Sequence, residues 1–360
     1  MKKLNVAIIG QGRSGRDIHG AFFRSDANEK YNVVAVVDAI EERRERAKAE
    51  YGCDVYADYH ELFGREDIDL VVNSTFSYMH TPVTIDLLEH GFNVVCEKPM
   101  AKTYEDGCRM IAAAKKSGKM FNVFQQSRLA PYYVKLKEIL ADGRLGEIIQ
   151  ISIFYSSFGR RWDWQTAQGF TGGSVRNSGP HPLDQAMDLL GFPEDVTVFS
   201  KLACVNTWGD AEDYAKIVMT VPGKPLVDVE ISSCAAFCPY TYNIQCKNGC
   251  LVATTNEITV KWFDPEKAPE QKLILTPLFT SERTPSYCVE KLDWQEEKIA
   301  VTGTAFNSAV LKYYDMIYAH LTEGAPMEIV PEQVLPQLKV IDKIHAQNPL
   351  AVKDDCVPTK

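Results

Sequence analysis

The sequence predicts an α/β domain with a doubly wound parallel sheet, followed by an α+β domain with a mostly antiparallel open sheet. Three observations predict it. Continuous Val/Ile runs alternate with helical stretches over residues 1–124, as in a parallel sheet covered on both faces. A glycine-rich turn joins the first such run to the first helix. Beyond residue 124 the apolar positions alternate with polar ones along longer segments joined by turn signals.

In chain order, residues 4–9 (LNVAII) read as a buried strand and residues 15–25 as a helix after the glycine turn. Residues 33–38 (VVAVVD) form the second strand and 40–51 a charged helix. Strand 68–74 (IDLVVNS) precedes helix 82–90, strand 92–96 (FNVVC) precedes helix 104–117, and 120–124 is a last strand. After a helix at 132–141, strands are predicted at 148–155, 215–221, 227–233, 242–246 and 258–263. Pro222-Gly223-Lys224-Pro225 and Lys247-Asn248-Gly249 mark turns between them. Residues 304–322 and 331–345 read as closing helices. The expected domains are therefore 1–124, binding a dinucleotide, and 125–360, binding substrate and a second copy of the chain. The short junction predicts one rigid body with a cleft between the two.

Bulk properties narrow the function. The chain has 360 residues, 45% apolar and 24% charged, with a net charge of −9. An acidic surface repels phosphate backbones and anionic lipid, which argues against nucleic acid or membrane as the main partner. The apolar run at 6–9 is too short for a signal segment and no run reaches membrane-span length, so the expected compartment is the cytoplasm. The ten cysteines are expected to be reduced thiols. Cys234, Cys238, Cys246 and Cys250 lack the two-residue spacing of zinc ligands and read as small apolar side chains of a sheet, so no metal is expected.

Gly10-Gln11-Gly12-Arg13-Ser14-Gly15 lies between a strand and a helix. Gly10 permits the tight turn, Gly12 lets a pyrophosphate approach the backbone, and Gly15 lets helix and strand pack closely. The helix N-terminus offers free N–H groups to phosphate. Asp38 closes the next strand, where its carboxylate accepts from a ribose 2′-OH and repels a 2′-phosphate. This is a Rossmann dinucleotide site, for NAD in preference to NADP, although Arg43 and Arg44 nearby weaken the preference.

Glu97-Lys98-Pro99 directly follows a strand whose C-terminal end faces the same crevice, placing Lys98 within reach of a substrate oxygen. Pro99 is a candidate cis-proline. In the second domain, Gly172-Gly173 leads into a segment carrying Asn177, His181 and Asp184, three or four residues apart and therefore expected on one helix face. Histidine titrates near neutral pH and suits proton transfer from an alcohol. His19 reads as a helix residue packed on the sheet, and His60, His90, His320 and His345 as surface or helix-end residues.

With these residues in view, the chain resembles the Gfo/Idh/MocA oxidoreductase family, named for glucose–fructose oxidoreductase and inositol dehydrogenase. The glycine motif, the Glu-Lys-Pro triplet and the glycine-rich segment ending in His181 and Asp184 follow the family's order. Gln126-Ser127-Arg128 resembles its passage into the second domain, and Ser74, Thr75 and His80 occupy the place of its usual T-P-N-x-x-H loop. The resemblance implies that Gly10, Gly12, Arg13, Ser14, Gly15, Asp38, Ser74, Thr75, His80, Glu97, Lys98 and Gln126 bind cofactor. It implies that Lys98 stabilises the reacting oxygen and His181 takes the proton. Asn177 stands where the family often has aspartate; an amide orients a hydroxyl but accepts no proton, so more of the chemistry falls to Lys98. Lys98, Arg128, Trp162, Asp163, Asn177 and His181 are the expected substrate contacts. For residues 160–165 (RRWDWQ), sugar stacking and packing at an interface remain equal readings.

The expected function is hydride transfer between nicotinamide and a ring hydroxyl of a sugar, glycoside or cyclitol, in a homodimer or homotetramer. The competing readings are an NAD-dependent glycosidase that oxidises the ring transiently before elimination, and a non-enzymatic NAD-binding regulator.

Overall fold

In the computed structural model, which describes residues 2–358, the apolar runs of the first domain pair side by side. Strands β1 (Leu4–Ile9), β2 (Tyr31–Val37), β3 (Asp54–Tyr56), β4 (Leu70–Asn73), β5 (Val94–Cys96) and β6 (Phe121–Val123) form one sheet. The order is β3-β2-β1-β4-β5-β6 and every pair is parallel. Helices Glu41–Tyr51, His80–Glu89 and Tyr104–Ser117 cover the strands. The order reverses between β1 and β4, so a crevice opens beyond their C-terminal ends. Gly10, Ser74 and Glu97 follow directly on β1, β4 and β5, and each of the three N–H groups bonds a neighbouring strand end. The chain itself thus brings the predicted cofactor and catalytic segments together.

The second sheet has eight strands. They are β7 (Ile148–Ser156), β8 (Thr197–Ala203), β9 (Tyr214–Thr220), β10 (Leu226–Ser232), β11 (Tyr242–Cys246), β12 (Gly249–Ala253), β13 (Glu257–Phe263) and, after a small ribbon of β14 (Leu278–Phe279) and β15 (Pro285–Ser286), β16 (Trp294–Ala300). Their order is β16-β13-β12-β11-β7-β10-β9-β8, antiparallel except where β10 meets β7. Strict alternation in β8, β9 and β10 sends Val198, Leu202, Ile217, Met219, Val227 and Val229 under helices Pro180–Leu190 and Leu335–Gln347. Strand β16 (WQEEKIA) is exposed along nearly its whole length at the sheet edge, so it carries no apolar periodicity to announce it. No helix among the described residues is long and apolar enough to cross a membrane.

The glycine loop leads into a π-wound segment, Arg13–His19, which continues as the short α-helix Gly20–Phe23 in place of the single predicted helix. Helix Ser308–Glu323 packs on the first domain. Tyr314 stacks on Phe22 with ring centroids 4.8 Å apart, and its carbonyl accepts the Tyr31 hydroxyl at 2.6 Å. Tyr313 donates to Asn122 at 2.7 Å.

Between the sheets, residues 126–130 are buried and held by side chains. Arg128 forms two bonds to Asp184, Nε–Oδ2 at 2.5 Å and Nη2–Oδ1 at 2.6 Å. It also donates to Gln333, and its guanidinium lies 4.6 Å from the Phe192 ring centroid. Arg128 is therefore a structural ion pair, which corrects its expected role as a substrate contact. Asp184, 0% exposed, likewise faces this junction. Removing one partner strands a buried charge, so Asp184→Ala is expected to lower stability by about 3–5 kcal/mol in denaturant titration, and Arg128→Met/Asp184→Leu to recover most of the loss.

Candidate active site

Gly10 has φ +91°, and a Cβ there would lie 2.4 Å from the Ser74 carbonyl oxygen. A Cβ on Gly15 would lie 1.8 Å from the Gly10 oxygen. Both glycines are required by the protein's own packing. Gly12 differs: a Cβ there meets nothing within 4 Å, so the space beside it is free for a ligand. It lies against the start of the Arg13–His19 segment, where unpaired N–H groups favour phosphate, with Arg13 exposed and Ser14 half-buried. Asp38 is 8% exposed and accepts from the Gln11 and Ile40 N–H groups at 2.7 and 2.9 Å, so backbone bonds fix its carboxylate at the loop. Arg43 stands 3.5 Å away, and Arg44 turns to the Asp38 and Ala39 carbonyls. An open cradle with free N–H groups and a fixed carboxylate fits a dinucleotide.

The residues around this cradle divide by what they touch. Ser74 donates to the Ile9 and Gly10 carbonyls at 2.7 and 3.1 Å, and Thr75 donates to Asn73 at 2.8 Å; both hydroxyls hold the loop. His80 is buried with Nδ1 2.7 Å from the Pro99 oxygen and Nε2 3.2 Å from the Thr75 oxygen. Its ring ties two loops together. Gln126 is buried, with no partner for its Oε1.

The Lys98–Pro99 peptide is cis. Glu97 is 2% exposed; its Oε2 accepts the Lys98 N–H at 2.9 Å and its Oε1 lies 3.1 Å from His19 Nε2. Burial pushes this carboxyl up, but the hydrogen bond from His19 and the positive charge of Lys98 outweigh it and hold the group at about 2. The Lys98 side chain crosses the cleft, and Nζ donates to the Asn177 carbonyl at 3.0 Å. Its pKa is lowered by burial and by the positive charges of Arg13 and Arg161, against the pull of Glu97.

On the far wall, the short helix Ser174–Asn177 starts at Gly173, φ +104°, where a Cβ would collide with the Glu212 carboxylate. Glu212 accepts the Val175 N–H at 3.0 Å and so caps this turn. The Asn177 amide is engaged with Gln165 in both directions, at 3.0 and 3.2 Å. Arg161 donates to Gln165 and pairs with Asp163 at 2.8 Å. The helix breaks at Ser178–Gly179 before resuming as Pro180–Leu190, so Asn177 and His181 do not share a helix face. His181 contacts neither Asn177 nor Asp184; its Nδ1 lies 3.2 Å from the Ser127 hydroxyl. Burial, helped by the Lys98 charge, pushes His181 down to about 3. The expected three-residue face is thus replaced by Lys98, the Asn177 carbonyl and a neutral imidazole.

Trp162 is 74% exposed and meets Trp208 edge to face at 6.0 Å, while Arg160 lies 4.6 Å over the Trp208 ring. Trp164 packs across the cleft on Phe76, 4.9 Å away and nearly perpendicular. Sequence reasoning missed Phe76, His19 and Tyr314 as site neighbours. Only His19, in a helix opened by the glycine loop, carried any signal. All ten cysteines are free, and among the described residues no three His, Cys, Asp or Glu side chains gather to hold a metal.

Two family models match the chain: an oxidoreductase family with an NAD-binding Rossmann fold over residues 4–125, and a GFO/IDH/MocA C-terminal domain over residues 133–252. An inositol 2-dehydrogenase of Burkholderia cenocepacia is 28% identical over 253 residues, 68% of this chain and 71% of that protein. A 2,7-anhydro-N-acetylneuraminate hydratase of Mediterraneibacter gnavus is 31% identical over 212 residues, 55% of this chain and 52% of that protein. The chain spans about two thirds of the length of other curated relatives it matches. Among solved structures, an NAD-binding protein from Listeria innocua superposes with a TM-score of 0.76 at 23% identity, covering 98% of this chain and 100% of that one, which shows the shared fold.

Because Gly12 faces open space, Gly12→Ala is expected to leave the melting temperature unchanged while weakening NADH binding at least about tenfold. Fluorescence titration of NADH beside a thermal melt checks both halves.

Proposed function

The chain belongs to the GFO/IDH/MocA oxidoreductase family, and from that membership we propose that it is an NAD-dependent dehydrogenase of a ring hydroxyl on a sugar, glycoside or cyclitol. One observation carries the reading. Lys98 is held across the cleft on the Asn177 carbonyl, beside His181 and at the C-terminal end of β5, where a substrate oxygen meets a nicotinamide.

Bound nicotinamide supplies the hydride acceptor or donor. The loop at Gly12 and the Asp38 carboxylate hold the dinucleotide, and a fixed anion at the ribose favours NAD over NADP. Lys98 meets the reacting oxygen. As an ammonium it stabilises developing negative charge; as a free amine it accepts the hydroxyl proton. His181, held at about 3, is neutral at physiological pH and a weak base, so it orients the hydroxyl while Lys98 moves the proton. The Asn177 amide, saturated by Gln165, offers no site for a proton. Phe76 and Trp164, packed on each other, give the cleft an aromatic edge that suits the apolar face of a ring.

A second reading keeps the same oxidation step but returns the hydride after an elimination. It is favoured by the likeness to a hydratase, a reaction with no net redox change in its name.

A panel of sugars, inositols and glycosides with NAD, followed by NADH absorbance and by product analysis, separates the two: net NADH supports the dehydrogenase, and bond cleavage without it the second reading. Lys98→Ala is expected to lower turnover by about 10²–10⁴-fold while NADH still binds; turnover at the wild-type rate overturns the assignment. The pH dependence follows the lowered Lys98 pKa. Oxidation needs the free amine, so its kcat/KM falls as pH drops through that value. Reduction needs the ammonium and falls as pH rises through it. Asn177→Asp adds an anion near both groups, favours their protonated forms, and is expected to move both limbs to higher pH.

A further inference from the structure

We propose that His19 and Tyr314 are positioning residues for Lys98, acting through the Glu97 carboxylate, and that together they set how much of Lys98 is free amine. The inference rests on the reading of Lys98 as the group that moves the proton.

His19 is 0% exposed, and each ring nitrogen has one partner: Nδ1 lies 2.7 Å from the Tyr314 hydroxyl and Nε2 3.1 Å from Glu97 Oε1. The carboxylate only accepts. One proton arrangement therefore satisfies every atom: the Tyr314 hydroxyl donates to Nδ1, and Nε2–H donates to Glu97. The reverse tautomer would turn an imidazole lone pair on the carboxylate. Tyr314 is locked by its stack on Phe22 and by its contacts with Phe23 and Tyr31. His19 is wedged against Phe124, with centroids 4.2 Å apart. With Oε2 already bonded to the Lys98 N–H, both carboxylate oxygens are pinned one residue from the ammonium.

The surrounding charges show why this matters. Glu97 faces His19, Lys98, His80, the Tyr313 and Tyr314 hydroxyls and the Cys96 thiol. Lys98 faces Glu97 as its one anion, Arg13 and Arg161 as cations, and His80 and His181 as neighbours affected by its charge. Burial and two arginines push Lys98 toward the free amine, and Glu97 is the one charged group that opposes them. Without the His19 donor, burial drives Glu97 toward the neutral acid, and the opposition weakens. His19 also ends the segment that begins at the glycine loop, while Tyr314 lies on a helix from the far end of the chain. The dinucleotide loop, the closing helix and the reactive lysine are thereby joined through hydrogen bonds.

The test measures the Lys98 amine directly. Trace acetylation with acetic anhydride across a pH series, quantified on the Lys98 peptide by mass spectrometry, gives its titration midpoint without any substrate. His19→Leu is expected to give about tenfold more free amine at a fixed pH below the midpoint. His19→Gln, whose amide N–H reaches Glu97 as imidazole Nε2–H does, is expected to keep the wild-type midpoint. Tyr314→Phe removes one hydroxyl and is expected to shift the midpoint in the same direction as His19→Leu, by less; it decides the matter if circular dichroism shows His19→Leu unfolded. Wild-type midpoints in both His19→Leu and Tyr314→Phe, or a shift in His19→Gln as large as in His19→Leu, overturn the proposal. Turnover at the wild-type rate in Lys98→Ala would instead overturn the reading of Lys98 as the group that moves the proton and leave these midpoints standing.

Discussion

The cleft is organised around one cation that the fold has drawn partly out of water. An ammonium loses hydration on entering such a site, and the loss must be offset by oriented dipoles or an anion. Lys98 receives one of each: a carbonyl from the second domain, and a carboxylate from its own neighbour on the first. Each helper has its own support. The carbonyl belongs to a four-residue helix that Glu212 caps, and that helix exists because Gly173 leaves room for the capping carboxylate. The carboxylate is fixed by a buried imidazole. Small displacements of either support act on the charge state of the lysine, which is the property its chemistry depends on.

Much of this was legible in advance. The doubly wound sheet follows from unbroken apolar runs, which need cover on both faces, and the glycine loop from three glycines between a strand and a helix. Gly12 and Gly15 even separate cleanly by role once their surroundings are visible: one spares space for a ligand, the other for the chain. Lys98 was singled out by topology, since it lies just past β5, whose C-terminal end faces the crevice. What stayed hidden depends on contacts between distant residues. Arg128 was expected as a substrate contact from the resemblance of residues 126–128 to the family's passage into the second domain. Its partner lies 56 positions away on a helix whose inward face only the fold reveals. The spacing of Asn177 and His181 suggested one helix face, but Gly179 and Pro180 break the helix between them and redirect the imidazole toward Ser127.

The two sheets also divide the work unequally. The first matches an NAD-binding Rossmann fold and carries the glycine loop, Asp38 and Lys98. The second supplies what orients them: the Asn177 carbonyl, the Arg161–Gln165–Asn177 chain of bonds and the aromatic wall at Trp164. A ring substrate in the cleft would contact the second set, so relatives with the same first domain remain free to differ in what they recognise.

The helix Ser308–Glu323 bears on how such proteins diversify. It is encoded near the end of the chain yet fills a socket of Phe22, Phe23, Tyr31 and Phe124 on the first domain. Exchange of the N-terminal half between relatives by a single crossover would therefore separate this helix from the socket it evolved with. A chimaera that preserves the interface needs two crossovers, so that residues 308–323 travel with the dinucleotide-binding half.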